Sequence, residues 1–88
     1  MVLNLDDLRF WTKLALPQRK DLISRLKIAH DIKMDNFESV LIRLLHKADC
    51  VNGDKLRQVY PHLTAVVYAW QSGLINPDYT EMDLSKET

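Results

Sequence analysis

Apolar side chains recur at helical spacing along most of the chain and predict a series of short helices. From position 5 to position 14 every third residue is apolar, which is the spacing of one helix face. This first helix is expected to end near Leu16, because Leu16 precedes Pro17 and the residue before a proline avoids the α-helical conformation. Pro17 can then open a second helix. The inner face of that helix is predicted to consist of Leu22, Leu26 and Ala29.

A third helix follows after a polar segment. Asp35 or Asn36 can accept the hydrogen bond that caps its first turn. Asn52 and Gly53 tolerate positive φ and are expected to end the element. The apolar stripe of this helix is predicted to consist of Phe37, Val40, Leu41, Leu44, Leu45 and Ala48.

Pro61, Gly73 and Pro77 divide the rest of the chain into shorter segments. A short fourth helix is predicted from Asp54 to Val59, with Leu56 and Val59 pointing inward. Pro61 cannot lie deep inside a continuous helix, so a break is expected near Tyr60. The last helix is then predicted over residues 61–72, with Gly73 just beyond its C-terminus.

No long segment alternates between apolar and polar residues, so nothing favours a strand. The predicted fold class is all-α, a compact bundle of about five short helices formed by residues 1–74 as one domain. Residues 75–88 contain four acidic residues and one lysine and are predicted to form a flexible, poorly ordered acidic tail. The predicted core consists of Leu8, Trp11, Leu22, Leu26, Phe37, Leu41, Leu44, Leu56, Val59, Leu63, Val67 and Trp70.

Composition places the chain among ordinary globular proteins. Apolar residues make up 47% of the 88 residues, and twelve Lys and Arg balance twelve Asp and Glu. The single cysteine excludes an internal disulfide and is consistent with a reducing compartment. The chain opens with no basic and apolar leader, and its longest apolar stretch is too short to span a bilayer. We therefore expect a cytoplasmic protein that makes no membrane contact.

The last predicted helix lies in a segment, residues 58–77, without a single Lys, Arg, Asp or Glu. A helix that is uncharged around its whole circumference is usually covered on both sides. Either it is the central helix of the bundle and is buried by its own chain, or its second face contacts another protein or a second subunit. In that second case the partner-binding residues would be Ala65, Tyr68, Ala69 and Ser72, since a tyrosine among small residues suits an interface.

A nucleic-acid-binding function is the alternative. Residues 1–74 carry three more cations than anions, and the second helix is the most basic segment. The third and fourth helices, joined through Asn52 and Gly53, are compatible with a helix-turn-helix. The residues that would contact nucleic acid are Arg19, Lys20, Arg25, Lys27, Lys55 and Arg57.

Enzymatic and metal-binding functions are not expected. His46 and Cys50 are four residues apart, but a structural zinc site needs four such ligands. The chain has no glycine-framed nucleophile turn, no paired-carboxylate motif and no phosphate-binding glycine loop. We predict neither a cofactor nor a small-molecule substrate.

One segment of the second half, residues 41–73, resembles small phage-encoded and prophage-encoded helical proteins of unknown function. The residues that carry the resemblance are Lys47-Ala48-Asp49, Asn52, Lys55-Leu56-Arg57 and Tyr60-Pro61. The resemblance implies a phage-encoded, intracellular protein without enzymatic activity. Together with the uncharged last helix, it leads us to expect a small protein-binding module that acts on a host protein or on a second copy of itself.

Overall fold

The computed structural model describes residues 5–31 and 33–82, which form a bundle of five α-helices. The all-α prediction is therefore confirmed. The only β feature in these residues is an isolated bridge between Ile75 and Glu81. The helices are α1 (Leu5–Lys13), α2 (Leu16–His30), α3 (Phe37–Lys47), α4 (Cys50–Val59) and α5 (Pro61–Gln71).

Local chemistry explains most of the helix boundaries. Pro17 and Pro61 lie in the first turns of α2 and α5, where a missing N–H costs no hydrogen bond. The side chain of Asn36 accepts a hydrogen bond from the Ser39 N–H at 2.8 Å and so caps α3. Gly73 adopts a φ of +81° just beyond α5, as predicted for a residue that follows a helix C-terminus.

The predicted boundary between the third and fourth helices was wrong. Asn52 and Gly53 do not end a helix, because both lie inside α4. The break comes earlier, at Ala48 and Asp49, whose backbone is extended. The Asp49 carboxylate accepts a hydrogen bond from the Asn52 N–H at 2.8 Å. This cap starts a new helix four residues before the predicted start.

Helix α5 lies at the centre of the bundle and contacts each of the other four helices. Every residue from Leu63 to Ala69 is buried. The small side chains of Ala65 and Ala69 are fully inaccessible, and Tyr68 is only 6% exposed. The uncharged helix is therefore covered by its own chain, which is the first of the two alternatives that its sequence allowed.

The core prediction was correct for about half of its residues. The fully or nearly fully buried ones are Trp11, Leu22, Leu26, Leu41, Leu63 and Val67. Leu8, Leu56 and Trp70 are partly buried. Phe37, Leu44 and Val59 were wrongly placed in the core, since they are 73%, 51% and 67% exposed.

The errors in α3 have one geometric cause. Its buried apolar residues are Leu41, Ile42 and Leu45, and Ile42 was missing from the predicted stripe. Successive residues of an α-helix are about 100° apart, so Leu44 and Leu45 point in different directions. The side of α3 that faces α2 and α5 is the one that carries Ile42, which leaves Leu44 in solvent.

Val59 is exposed for a similar reason. Helix α4 packs on α5 with the side that carries Gly53, Leu56 and Arg57, of which the glycine is buried and the other two are partly buried. Val59 lies about 100° away from this side.

The segment after α5 is ordered against the bundle as far as residue 82. Ile75 is only 3% exposed and belongs to the core. Backbone hydrogen bonds close the segment on itself, from the Asn76 N–H to the Thr80 oxygen at 2.7 Å and from the Met82 N–H to the Leu74 oxygen at 2.9 Å. The predicted domain end at residue 74 and the predicted loose tail from residue 75 were therefore wrong up to residue 82. The rest of that predicted tail, residues 83–88, lies outside the described residues.

A buried ion pair connects α1 to α4. The guanidinium of Arg57 donates to both carboxylate oxygens of Asp7, at 2.6 and 2.8 Å, and also to Asp54. Asp7 is 2% exposed. The Asp7 hydrogen bond is the main reason why the pKa of Arg57 is raised.

Candidate protein-interaction surface

The four residues predicted to bind a partner do not form an accessible surface. Ala65, Tyr68 and Ala69 are buried inside the bundle. Only Ser72 is exposed, at the end of α5, where its hydroxyl donates to the Tyr68 carbonyl oxygen. The prediction of a docking face on the last helix was wrong. The other four helices pack around α5, so the face that was expected to be free is buried within the chain.

The predicted nucleic-acid residues are largely occupied by contacts within the chain. Arg19 pairs with Glu81 at 2.6 Å, and Arg57 pairs with Asp7 and Asp54. Arg25 pairs with Asp21 at 2.8 Å and with Glu38 at 2.7 Å, and the Asp21 hydrogen bond is the largest cause that raises its pKa.

The three predicted lysines are exposed and lie on two helices. Lys20 and Lys27 lie on α2, and Lys55 lies on α4. The Lys27 ammonium lies 5.9 Å from the centre of the Tyr79 ring. The structure therefore leaves two exposed lysines on one side of α2 and one on α4, instead of the continuous basic face that six free cations would form.

Three exposed apolar side chains are aligned on α3. Phe37, Val40 and Leu44 are 73%, 47% and 51% exposed, and their spacing places them along one side of the helix. We call these three residues the outer stripe. Aligned exposed apolar residues favour an interaction site, because exposed apolar residues are common only as isolated ones.

A groove continues the outer stripe toward α4. Both α3 and α4 pack on α5, and between them lies a groove of about 460 Å³. Leu44, Ala48 and Leu56 contribute its apolar part. The residues that line the groove are Leu44, Lys47, Ala48, Asp49, Asn52, Lys55 and Leu56.

One signal in the sequence could have identified this surface. The predicted stripe of α3 contained six apolar residues, and Ile42 adds a seventh. Without Ala48, which lies just beyond the helix, six apolar residues on a helix of eleven still cover more of its circumference than one core-facing side requires. The excess indicates two apolar sides, of which only one can face the core.

A cluster of hydrogen-bonded aromatic side chains forms a second feature that the sequence did not predict. The Nε2 atoms of His30 and His46 lie 2.9 Å apart, and His30 Nδ1 lies 2.9 Å from the Tyr79 hydroxyl. The Gln71 amide nitrogen lies 3.2 Å from His46 Nδ1. The Tyr79 ring stacks on Trp70 with ring centres 5.0 Å apart. The cluster joins α2, α3 and α5 to the segment after α5.

The donor and acceptor pattern of the cluster fits two neutral imidazoles. The Gln71 N–H donates to His46 Nδ1, so His46 carries its proton on Nε2 and donates it to His30 Nε2. His30 then donates from Nδ1 to Tyr79. Burial lowers the pKa of both histidines, and the neighbouring His30 lowers that of His46 further. Both ring nitrogens of His30 are engaged within the protein, which favours a role for the cluster in holding the segment after α5.

Metal binding finds no support in the part of the chain that the structure describes. Across residues 5–31 and 33–82, no group of three or more His, Cys, Asp or Glu side chains could hold an ion. Cys50 is exposed at the first position of α4, whereas His46 is paired with His30.

No protein-family model matches the chain, and comparisons with curated proteins and with solved structures give no match either. The helices within the described residues are too short or too polar for any of them to cross a membrane.

Proposed function

We propose that this chain is a small protein-binding module that acts through the outer stripe of α3 and the adjoining groove. The observation that carries the proposal is the exposure of Phe37, Val40 and Leu44 along one side of a helix. The other side of the same helix is buried in the core. Phe37 also contacts the Tyr60 ring, with ring centres 6.5 Å apart, but folding alone does not require Val40 and Leu44 to be apolar.

The ligand that fits this surface best is the apolar side of a helix from a protein partner. An amphipathic helix presents anchors at the same three-residue and four-residue spacing as the outer stripe. Burying an exposed side chain such as Phe37 contributes about 1.5–3 kcal/mol. Aromatic residues are also enriched among the residues that dominate binding energy.

The test compares two variants that keep the fold. Leu44→Glu places a charge on the outer stripe, and Lys20→Glu changes the charge of an exposed residue on α2. A partner captured with the wild-type chain is purified and titrated against all three proteins. We expect Lys20→Glu to bind like the wild type and Leu44→Glu to bind at least about tenfold more weakly, which corresponds to about 1.4 kcal/mol. Equal binding by all three proteins would contradict the proposal.

Nucleic-acid binding is the weaker alternative, because Arg19, Arg25 and Arg57 are already paired with carboxylates. It predicts retention of DNA or RNA that falls steeply with salt. Retention that is unchanged after Arg19, Arg25 and Lys27 are all replaced by glutamate would exclude it. A phage origin, a cytoplasmic location and the lack of enzymatic activity stay predictions from the sequence.

A further inference from the structure

The two ends of α3 carry opposite charges that have no partner within the described residues. Asp35 lies just before the helix, and Lys47 is its last residue. Both side chains are exposed, and neither takes part in any of the ion pairs of residues 5–31 and 33–82. The outer stripe lies between them.

We propose that the occupant of the outer stripe is the outer stripe of a second copy of this chain, with the two α3 helices antiparallel about a twofold axis. This inference rests on the proposed function and names its partner. In this arrangement Phe37 lies opposite Leu44 of the second copy, and the two Val40 side chains meet at the axis. Lys47 then lies near Asp35 of the second copy, because Lys47 is three residues after Leu44 and Asp35 is two residues before Phe37.

Charge selects the antiparallel arrangement over the parallel one. A parallel pair would place Lys47 beside the second Lys47, and Asp35 beside the second Asp35. The antiparallel pair instead forms two Lys47–Asp35 contacts that are related by symmetry. It also places the positive end of one helix dipole beside the negative end of the other.

The size of the stripe sets the strength of the association. Stable interfaces bury about 1,600 Å² in total, and the outer stripe offers three apolar side chains on each copy. We therefore expect a monomer–dimer equilibrium that depends on concentration, with a dissociation constant in the micromolar range or weaker.

The test is a charge swap followed by sedimentation equilibrium of the pure full chain, from micromolar concentrations to about 1 mM at low salt. Lys47→Asp and Asp35→Lys are each expected to raise the dissociation constant at least about fivefold, since each change replaces two attractive contacts by repulsive ones. The double variant is expected to recover most of the wild-type affinity. Lys20→Asp is the control with the same charge change on α2, and circular dichroism checks that each variant is folded.

The outcomes separate this inference from the proposed function. Recovery in the double variant, together with loss of the dimer in Leu44→Glu, supports both. A wild-type chain that stays monomeric up to about 1 mM overturns the inference. The proposed function is then tested by the titration of the captured partner alone. A dimer that forms but ignores the Lys47 and Asp35 changes overturns the antiparallel pairing. A dimer that also tolerates Leu44→Glu overturns the assignment of the dimer to the outer stripe.

Discussion

The ion pair between Asp7 and Arg57 gives the sharpest test of how the bundle is held together. We predict that Arg57→Met strongly destabilises the chain. Methionine keeps much of the apolar stem of arginine but removes the guanidinium. The Asp7 carboxylate, which is 2% exposed, then loses both hydrogen bonds from Arg57 and stays buried without its counter-charge.

The expected magnitude follows from this burial. Removing one partner of a buried ion pair costs about 3–5 kcal/mol, because the remaining charge is uncompensated. The Arg57 side chain is 19% exposed, so water can partly reach the gap, and we expect a value near the lower limit. For a domain of this size, a loss of about 3 kcal/mol lowers the melting temperature by roughly 12–24 °C.

The assay is urea unfolding of three variants, followed by circular dichroism at neutral pH. Asp54→Asn removes the other carboxylate that accepts a hydrogen bond from Arg57. Because the Asp54 side chain is 62% exposed, this change should cost no more than about 1 kcal/mol. The double variant Asp7→Leu/Arg57→Met replaces both charges by apolar groups and should recover most of the loss.

Two results would refute this reasoning. A cost below about 1 kcal/mol for Arg57→Met would mean that the Asp7 charge is not buried as described. A double variant that is no more stable than Arg57→Met would mean that the loss comes from the packing of the methionine and not from the unpaired carboxylate.

Three further predictions concern the core, the histidine cluster and the segment after α5. Leu45→Ala should cost about 2–5 kcal/mol of unfolding free energy, because Leu45 is fully buried. Leu44→Ala, at the neighbouring but half-exposed position, should cost less than about 1 kcal/mol. Similar costs for both variants in urea unfolding would contradict the assignment of Leu45 to the buried side of α3 and Leu44 to the exposed side. Burial lowers the pKa of His30 and His46 in the folded chain, so the unfolded chain binds more protons just below its own histidine pKa of about 6.5. Stability should therefore be complete above about pH 7 and fall as the pH drops through 6.5; a urea midpoint that is constant between about pH 7.5 and 5.5, or a pH dependence that is unchanged in His46→Gln, would argue against the neutral pair. Ile75→Ala should cost about 2–4 kcal/mol, because Ile75 is 3% exposed, and a thermal melt that is unchanged by this substitution would show that the segment after α5 does not pack on the core.

Helix positions could be predicted from the sequence because they depend on local contacts. Proline in the first turns of α2 and α5, Asn36 at the start of α3 and Gly73 after α5 each act on backbone groups within a few residues. Two predicted helix boundaries were wrong. Helix α1 ends at Lys13 and not near Leu16, which is the first residue of α2. The boundary between α3 and α4 was also wrong, although it too was decided locally. Both Asp49 and Asn52–Gly53 are compatible with a break between helices. The break lies at the earlier position because the Asp49 carboxylate accepts a hydrogen bond from the Asn52 N–H and so caps the start of α4.

Which side of each helix faces the core could not be read from local spacing. Helix α3 has apolar residues on two sides, so the period of 3.6 residues fits a core of Leu41, Ile42 and Leu45 as well as one that contains Leu44. Contacts with α2 and α5 choose between them, and those contacts join residues that are distant in sequence.

The sequence by itself determined that the chain is helical, where most of its helices begin and end, and that its last helix is too apolar to face water. Only the tertiary structure decided what covers that helix, which apolar side of α3 stays exposed, and that Ile75 closes the core. The physical reason is that secondary structure follows from backbone groups close together in the chain, whereas burial depends on how whole helices are placed around α5. The docking face predicted on α5 is therefore buried, and the surface that we propose in its place lies on α3, although the class of function is the same.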